Sequence, residues 1–165
     1  MKDRKYKFTD ETKEVYGTTL HRIVALKDFA GVENGDKGGW IENENNLSQY
    51  GNAWVYGDAM VYGDAMVYGN AEVYDNARVF GRAEVFGIAM VYDNAGYIVF
   101  KNFWSSGRYF TWTRSNNMWR VGCFYGTGEE LIAKAYKDSE KSGREYERVV
   151  RYVESILADE QKENK

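Results

Sequence analysis

From Asn52 to Ala95 one six-residue phrase recurs without a gap, and it limits what this chain can fold into more than any other feature. It runs Asn-Ala-Trp-Val-Tyr-Gly, then Asp-Ala-Met-Val-Tyr-Gly twice, and continues in register through Asn94-Ala95. Alanine falls at 53, 59, 65, 71, 77, 83, 89 and 95, and valine at 55, 61, 67, 73, 79, 85 and 91. Six residues are too few for a helical repeat. On an extended segment Ala and Val, two apart, point the same way. The aromatic residue after each valine leads into a pair rich in Gly, Asp and Asn, the chemistry of a corner. A fixed short period of this kind specifies stacked coils, each burying its apolar side against its neighbours.

With Ala and Val inside and Gly-Asp or Asn pairs at the corners, the stretch resembles the hexapeptide-repeat family. The resemblance implies a left-handed parallel β-helix in which three hexads make one triangular coil, so that residues eighteen apart stack. The resemblance is specific because seven consecutive hexads hold register. The chain departs from the family at the residue after each valine, where a small or acidic residue is usual. Here that place holds Tyr56, Tyr62, Tyr68, Tyr74, Phe80, Phe86 and Tyr92. With valine inward these aromatics point outward, in columns Tyr56–Tyr74–Tyr92, Tyr62–Phe80 and Tyr68–Phe86. The other outward position (Trp54, Met60, Met66, Glu72, Arg78, Glu84, Met90) is also more apolar than a wet surface needs. Contiguous exposed apolar surface marks an interface. Self-association as a trimer or dimer, cover from the flanking segments, or tyrosines stacked with their hydroxyls in water each satisfy it.

Length and composition allow one domain or two small ones: 165 residues, 44% hydrophobic and 16% aromatic. No eighteen-residue apolar run supports a membrane span, and Met1–Lys5 has no apolar signal segment behind it. One cysteine, Cys123, excludes an internal disulfide framework and fits a reducing cytoplasm. A net charge of −3 draws the whole protein to no nucleic acid.

The flanks read differently from the repeats. Tyr6–Thr9 and Thr18–Leu26 predict two strands, and 37–51 an irregular first coil, with Ile41 and Leu47 on the alanine register. This divides the chain into an N-terminal β cap (1–36), the hexapeptide-repeat β-helix (37–96) and a C-terminal module (97–165), making a mainly β protein. In that module Tyr97–Trp104, Arg108–Arg114 and Met118–Tyr125 predict three antiparallel strands. Two helices follow, opening at Thr127 with Glu130 as a capping box and at Ser142 with Glu145. The tail Asp159–Lys165 is expected to fray. The stretches Leu26–Phe29, Gly38-Gly39-Trp40-Ile41, Asn46-Leu47-Ser48, the repeats and Val121–Glu130 together resemble a group of proteins common in prophages and phages. That resemblance implies a phage-type accessory protein working inside a bacterial cell, and no activity.

Among chemical groups, His21 is the one histidine and lies outside the repeats. Many hexapeptide-repeat proteins are acyltransferases with a histidine base, so a degenerate acyltransferase using His21 is one reading. A three-histidine zinc site is excluded, and neither cofactor nor metal is expected. Gly126-Thr127-Gly128 before a helix reads as capping, since Glu129 and Glu130 would repel an anion.

The sharper region is 97–127, which holds ten aromatics and four cations with no carboxylate. There Trp104, Arg108, Trp112, Arg114 and Arg120 are candidates to grip a partner or a nucleotide-like ligand by stacking and charge. A three-residue turn would gather Arg108, Phe110, Trp112 and Arg114 with Arg120 and Phe124 into a basic aromatic platform. A two-residue turn at Asn116-Asn117 instead puts Phe110 and Trp112 with Trp119, Val121, Cys123 and Tyr125 on an apolar face under the helices. The second arrangement makes the better core. The favoured function is non-enzymatic, stoichiometric binding to a bacterial protein such as a defence component, with a nucleotide or signal-molecule sponge as the alternative. Membrane and nucleic acid are not expected partners.

Overall fold

A computed structural model describes residues 3–164 of the chain, which is mainly β with two helices in its C-terminal third. The chain opens with a hairpin of β1 (Tyr6–Val15) and β2 (Thr18–Ala25), turned by Tyr16-Gly17 with φ of 51° and 81°. The first strand runs well beyond the expected Tyr6–Thr9, because a bulge between Phe8 and Thr12 absorbs the polar stretch that reads as a turn. Strand β3 (Lys37–Ile41) pairs antiparallel with β2 and parallel with the repeats.

The repeats form two-residue strands: β4 (Trp54–Val55), β5 (Met60–Val61), β6 (Met66–Val67), β7 (Glu72–Val73), β8 (Arg78–Val79), β9 (Glu84–Val85) and β10 (Met90–Val91). Residues eighteen apart pair in parallel, as in Val55 with Val73, Val61 with Val79 and Val67 with Val85. Three rows of strands therefore share one interior, where every repeat alanine from 53 to 89 and every repeat valine is fully buried. Corners turn through a left-handed residue after the aromatic: Gly57, Gly63, Gly69, Gly81 and Gly87, with Asp75 taking the same φ of 55°.

The register of the first coil corrects the sequence reading. Ile41 pairs with Val61 and Leu47 with Val67, a separation of twenty. Both lie on the valine register, because the segment Ser48–Asn52 carries two more residues than a regular corner. Trp40 N–H accordingly donates to Ala59 O at 2.9 Å, which puts Gly39 in the alanine place. A Cβ there would stand 2.5 Å from both Ala59 O and Val55 Cγ1, so only glycine fits.

A parallel coil stack has chemically unlike ends. Each coil donates its N–H groups to the carbonyls of the next, as from Trp54 to Ala71 and from Met60 to Ala77. The first coil is left with free carbonyls and the last with free N–H groups, both of which need partners when buried. At the first end the partners are donors. Lys5 Nζ reaches Ala53 O at 2.7 Å, the Asn46 amide reaches Ala65 O at 2.8 Å, and Tyr6 Oη reaches Leu47 O at 2.7 Å. At the last end they are acceptors. The N–H of Arg78, Phe80, Glu84 and Met90 donate to Asn94 Oδ1, Tyr97 Oη, Thr111 Oγ1 and Ser115 Oγ at 2.7–3.2 Å.

Of those last acceptors Tyr97 and Thr111 lie in, and Ser115 in a turn of, a four-stranded antiparallel sheet: β11 (Tyr97–Lys101), β12 (Tyr109–Thr113), β13 (Met118–Val121) and β14 (Phe124–Gly126). Its pairs, Phe110 with Val121 and Trp112 with Trp119, correspond to the apolar-face arrangement. A four-residue turn, Arg114–Asn117, closes it in place of the expected two-residue turn at Asn116-Asn117, which keeps these side chains on one face. Three further expectations are corrected. The segment expected as one strand over Met118–Tyr125 is broken at Gly122-Cys123, so Cys123 is an exposed turn residue. Phe124 joins the apolar face, while Tyr125 opposes Arg120 on the other. The connection before β12 is longer than the expected Ser105–Gly107, leaving Trp104 outside the strands.

Helix α1 (Gly128–Asp138) opens at Thr127, whose hydroxyl accepts from Glu130 N–H while the Glu130 carboxylate accepts from Thr127 N–H. Helix α2 (Glu140–Glu163) starts three residues earlier than expected, because Ser139 ends α1 and also accepts from Ser142 N–H. The expected frayed tail is helical as far as Glu163, held at Glu160 by Arg114, and Lys165 lies outside the described residues. Leu131, Ile132, Tyr146, Val150 and Val153 pack the helices onto Phe110, Trp112 and Trp119. No described helix is long and apolar enough to cross a membrane.

Candidate functional site

The aromatic columns stack at the expected period. Ring centroids lie 4.5 Å apart for Tyr56–Tyr74, 4.9 Å for Tyr74–Tyr92, 5.4 Å for Tyr62–Phe80 and 4.6 Å for Tyr68–Phe86. Their upper members are half-buried, while the ends Phe80 and Tyr92 are 48% and 51% exposed. Tyr56 and Tyr74 both donate to the Glu72 carboxylate, at 3.0 and 2.5 Å. Burial, and then the carboxylate, push the Tyr56 phenol up to about 12, and Tyr74 shifts in the same direction for the same reasons. In the uppermost coil the flanks cover the apolar outward residues: Tyr6 and Phe29 pack on Trp54, and Trp40 clusters with Met60 and Leu20.

The five hairpin candidates are dispersed. Trp112 is buried, and its indole N–H donates to Asn117 Oδ1 at 2.8 Å. Arg114 grips Glu160 through both terminal nitrogens, at 2.6 and 3.2 Å, and donates to Ala95 O. Arg120 lies on the opposite sheet face, 3.2 Å from Glu84 and over the rings of Tyr68 (5.5 Å) and Phe86 (4.9 Å). Trp104 packs edge-on against Tyr146 at 4.9 Å. Arg108 is exposed, with its guanidinium beside Gly122. The register that buries Trp112 with Trp119 is what separates Arg120 from Arg114.

A furrow runs where the row of β6 and β9 meets the C-terminal sheet. One lobe, of about 440 Å³, is walled by Arg82, Asp64, Ser106, Arg108 and Tyr109. The other, of about 460 Å³, is walled by Ser48, Tyr68 and Arg120. Met66, Glu84 and Gly122 line both. Sequence reasoning missed Arg82 and Tyr109. Arg82 looks like one more outward corner residue of a repeat, and only the fold brings it to 5.3 Å from the Tyr109 ring.

His21 lies in β2, stacked on Phe8 at 5.0 Å, and lines neither lobe. Among the described residues no three His, Cys, Asp or Glu side chains gather closely enough to hold a metal ion.

No family model matches the chain. It is similar to the protein named uncharacterized acetyltransferase YdcK of Escherichia coli (strain K12), with 38% identity over 60 residues. That match takes in 32% of this chain and 18% of the other protein's length, so the chain spans less than a fifth of it. The similarity is consistent with a hexapeptide-repeat protein.

Proposed function

We propose that this is a non-catalytic binding protein, wound as a left-handed parallel β-helix, that occupies a partner's surface stoichiometrically. The hand rests on the likeness of the Ala-x-Val hexads to the hexapeptide-repeat family, and the eighteen-residue parallel pairing supports the three-hexad coil. We divide the chain into cap, repeats and C-terminal module at 36/37 and 96/97. One observation carries the functional reading: the single imidazole, His21, is stacked on Phe8 in the outer hairpin and lines neither lobe of the furrow. A general base has to stand within hydrogen-bond reach of its substrate.

The partner we favour is a bacterial protein such as a defence component, and the phage-type motifs motivate that choice. The exposed column ends at Phe80 and Tyr92 would serve contact with it or with further copies of this chain in a dimer or trimer. Co-purification from bacterial cells tests the reading. It predicts a complex of fixed stoichiometry that Phe80→Asp with Tyr92→Asp weakens, with no change in either component.

A second reading is favoured by the YdcK similarity: an acyltransferase-like enzyme. Release of CoA from acetyl-CoA, lost in His21→Ala, would support it.

A further inference from the structure

We infer that the furrow between the repeats and the C-terminal sheet binds a phosphorylated planar small molecule of mononucleotide size. This rests on the binding reading of the chain but not on any protein partner.

The lobe beside the 106–109 loop is cationic at its rim. Arg108 makes no ion pair with any described carboxylate, and its Nη1 would lie 3.1 Å from a Cβ on Gly122, which places the guanidinium against the furrow wall. Arg82 has one carboxylate near it, Asp64 at 3.5 Å, and both side chains are more than half exposed. Lys101, 5.7 Å from the ring of Tyr109 and without an ion pair to any described carboxylate, adds positive charge next to that lining residue. The Ser106 hydroxyl completes a set of donors suited to phosphate oxygens.

The two carboxylates of the furrow do not cancel this. Glu84 is already engaged by Arg120 at 3.2 Å and by the Tyr68 hydroxyl at 2.8 Å. Three guanidiniums, Arg82, Arg108 and Arg120, therefore face two acids, Asp64 beside Arg82 and Glu84 beside Arg120, which leaves the Arg108 charge uncompensated. The other lobe supplies the complementary surface. Met66, 38% exposed, lines it, and the Arg120 guanidinium lies over the Tyr68 ring at 5.5 Å. A thioether, an aromatic edge and a guanidinium plane make a sequence-tolerant platform for a planar ring. The lobes meet over Met66, so one ligand can put its ring there and its phosphates on Arg82 and Arg108. Each lobe falls in the size range of a small-molecule pocket.

The test is calorimetric titration of the full chain with ADP, adenosine and inorganic phosphate. We expect ADP to bind, and to bind more tightly than either fragment. Arg108→Ala and Arg82→Ala should each weaken ADP roughly tenfold or more, as loss of a charge-assisted hydrogen bond does. Met66→Glu should weaken ADP and adenosine alike, and Arg144→Ala, on the exposed face of α2, should change neither. Absence of ADP binding at millimolar concentration overturns the inference. So does equal weakening by Arg144→Ala, or phosphate binding as tightly as ADP. A protein complex that persists when ADP fails leaves the binding reading standing, whereas acetyl-CoA turnover would remove that reading whatever ADP does.

Discussion

Lys5 Nζ donates to the carbonyl oxygen of Ala53 at 2.7 Å, where a preceding coil would have offered a backbone N–H. At the far end of the stack the contact is reversed, with Glu84 N–H donating to Thr111 Oγ1 at 2.9 Å. The side chains at each end match the polarity that parallel stacking leaves there. This closes both edges against pairing with further strands.

Burial of that ammonium, and secondarily the charge of Lys27, brings Lys5 down to about 8. An unfolded lysine titrates near about 10.4. Between those values the unfolded chain holds more protons, so stability rises with pH. Below pH 8 both states are protonated, and the full cost of the buried charge is present. Relative to Lys5→Met, the native protein should gain about 2 kcal/mol between roughly pH 7.5 and 9.5. Urea denaturation of both proteins at the two pH values measures this, and parallel responses would refute it.

The phenols shift the opposite way. Tyr56, pushed up to about 12, and Tyr74 ionise later in the folded chain than near the ordinary value of about 10. Their contribution to stability is complete below that ordinary value and is lost as pH climbs through the folded ones. Ultraviolet titration should show phenols ionising late, and Glu72→Gln should bring Tyr56 down, since its carboxylate disfavours the phenolate beside it.

Thr111 is 1% exposed and accepts from Glu84 N–H. Thr111→Val keeps its shape and orphans that N–H, which should cost about 1–3 kcal/mol. Thr111→Ser keeps the acceptor and should retain most of that stability. Denaturation midpoints of the two variants decide the matter.

Gly39→Ala should destabilise by roughly 2–3 kcal/mol, since its Cβ would meet the Ala59 carbonyl and the Val55 methyl with no room to retreat. A variant with unchanged thermal stability would show that the first coil does not sit in this register.

The repeat core was legible because each hexad states its own geometry: Ala59, Val61 and Gly63 name an inward pair and a corner without help from elsewhere. The offset of Ile41 and Leu47 was not. Two extra residues in Ser48–Asn52 carry no signal until the strands they separate are paired. The face of Tyr125 was hidden for a related reason, because a turn at Gly122-Cys123 reverses the alternation after Val121. The early start of α2 depends on Ser139 serving two helices at once, which needs their packing. At the candidate site Arg108 could be named from composition. Its neighbours Arg82, Met66 and Tyr68 come from distant repeats and meet it only through the docking of the sheet.

Native mass spectrometry of the protein with its co-purified partner and with acetyl-CoA tests the central claim, binding without turnover, most directly. The account predicts a partner held at fixed stoichiometry, with the masses of both components and the acetyl-CoA pool unchanged over time. Conversion of acetyl-CoA to CoA, abolished in His21→Ala, would contradict it.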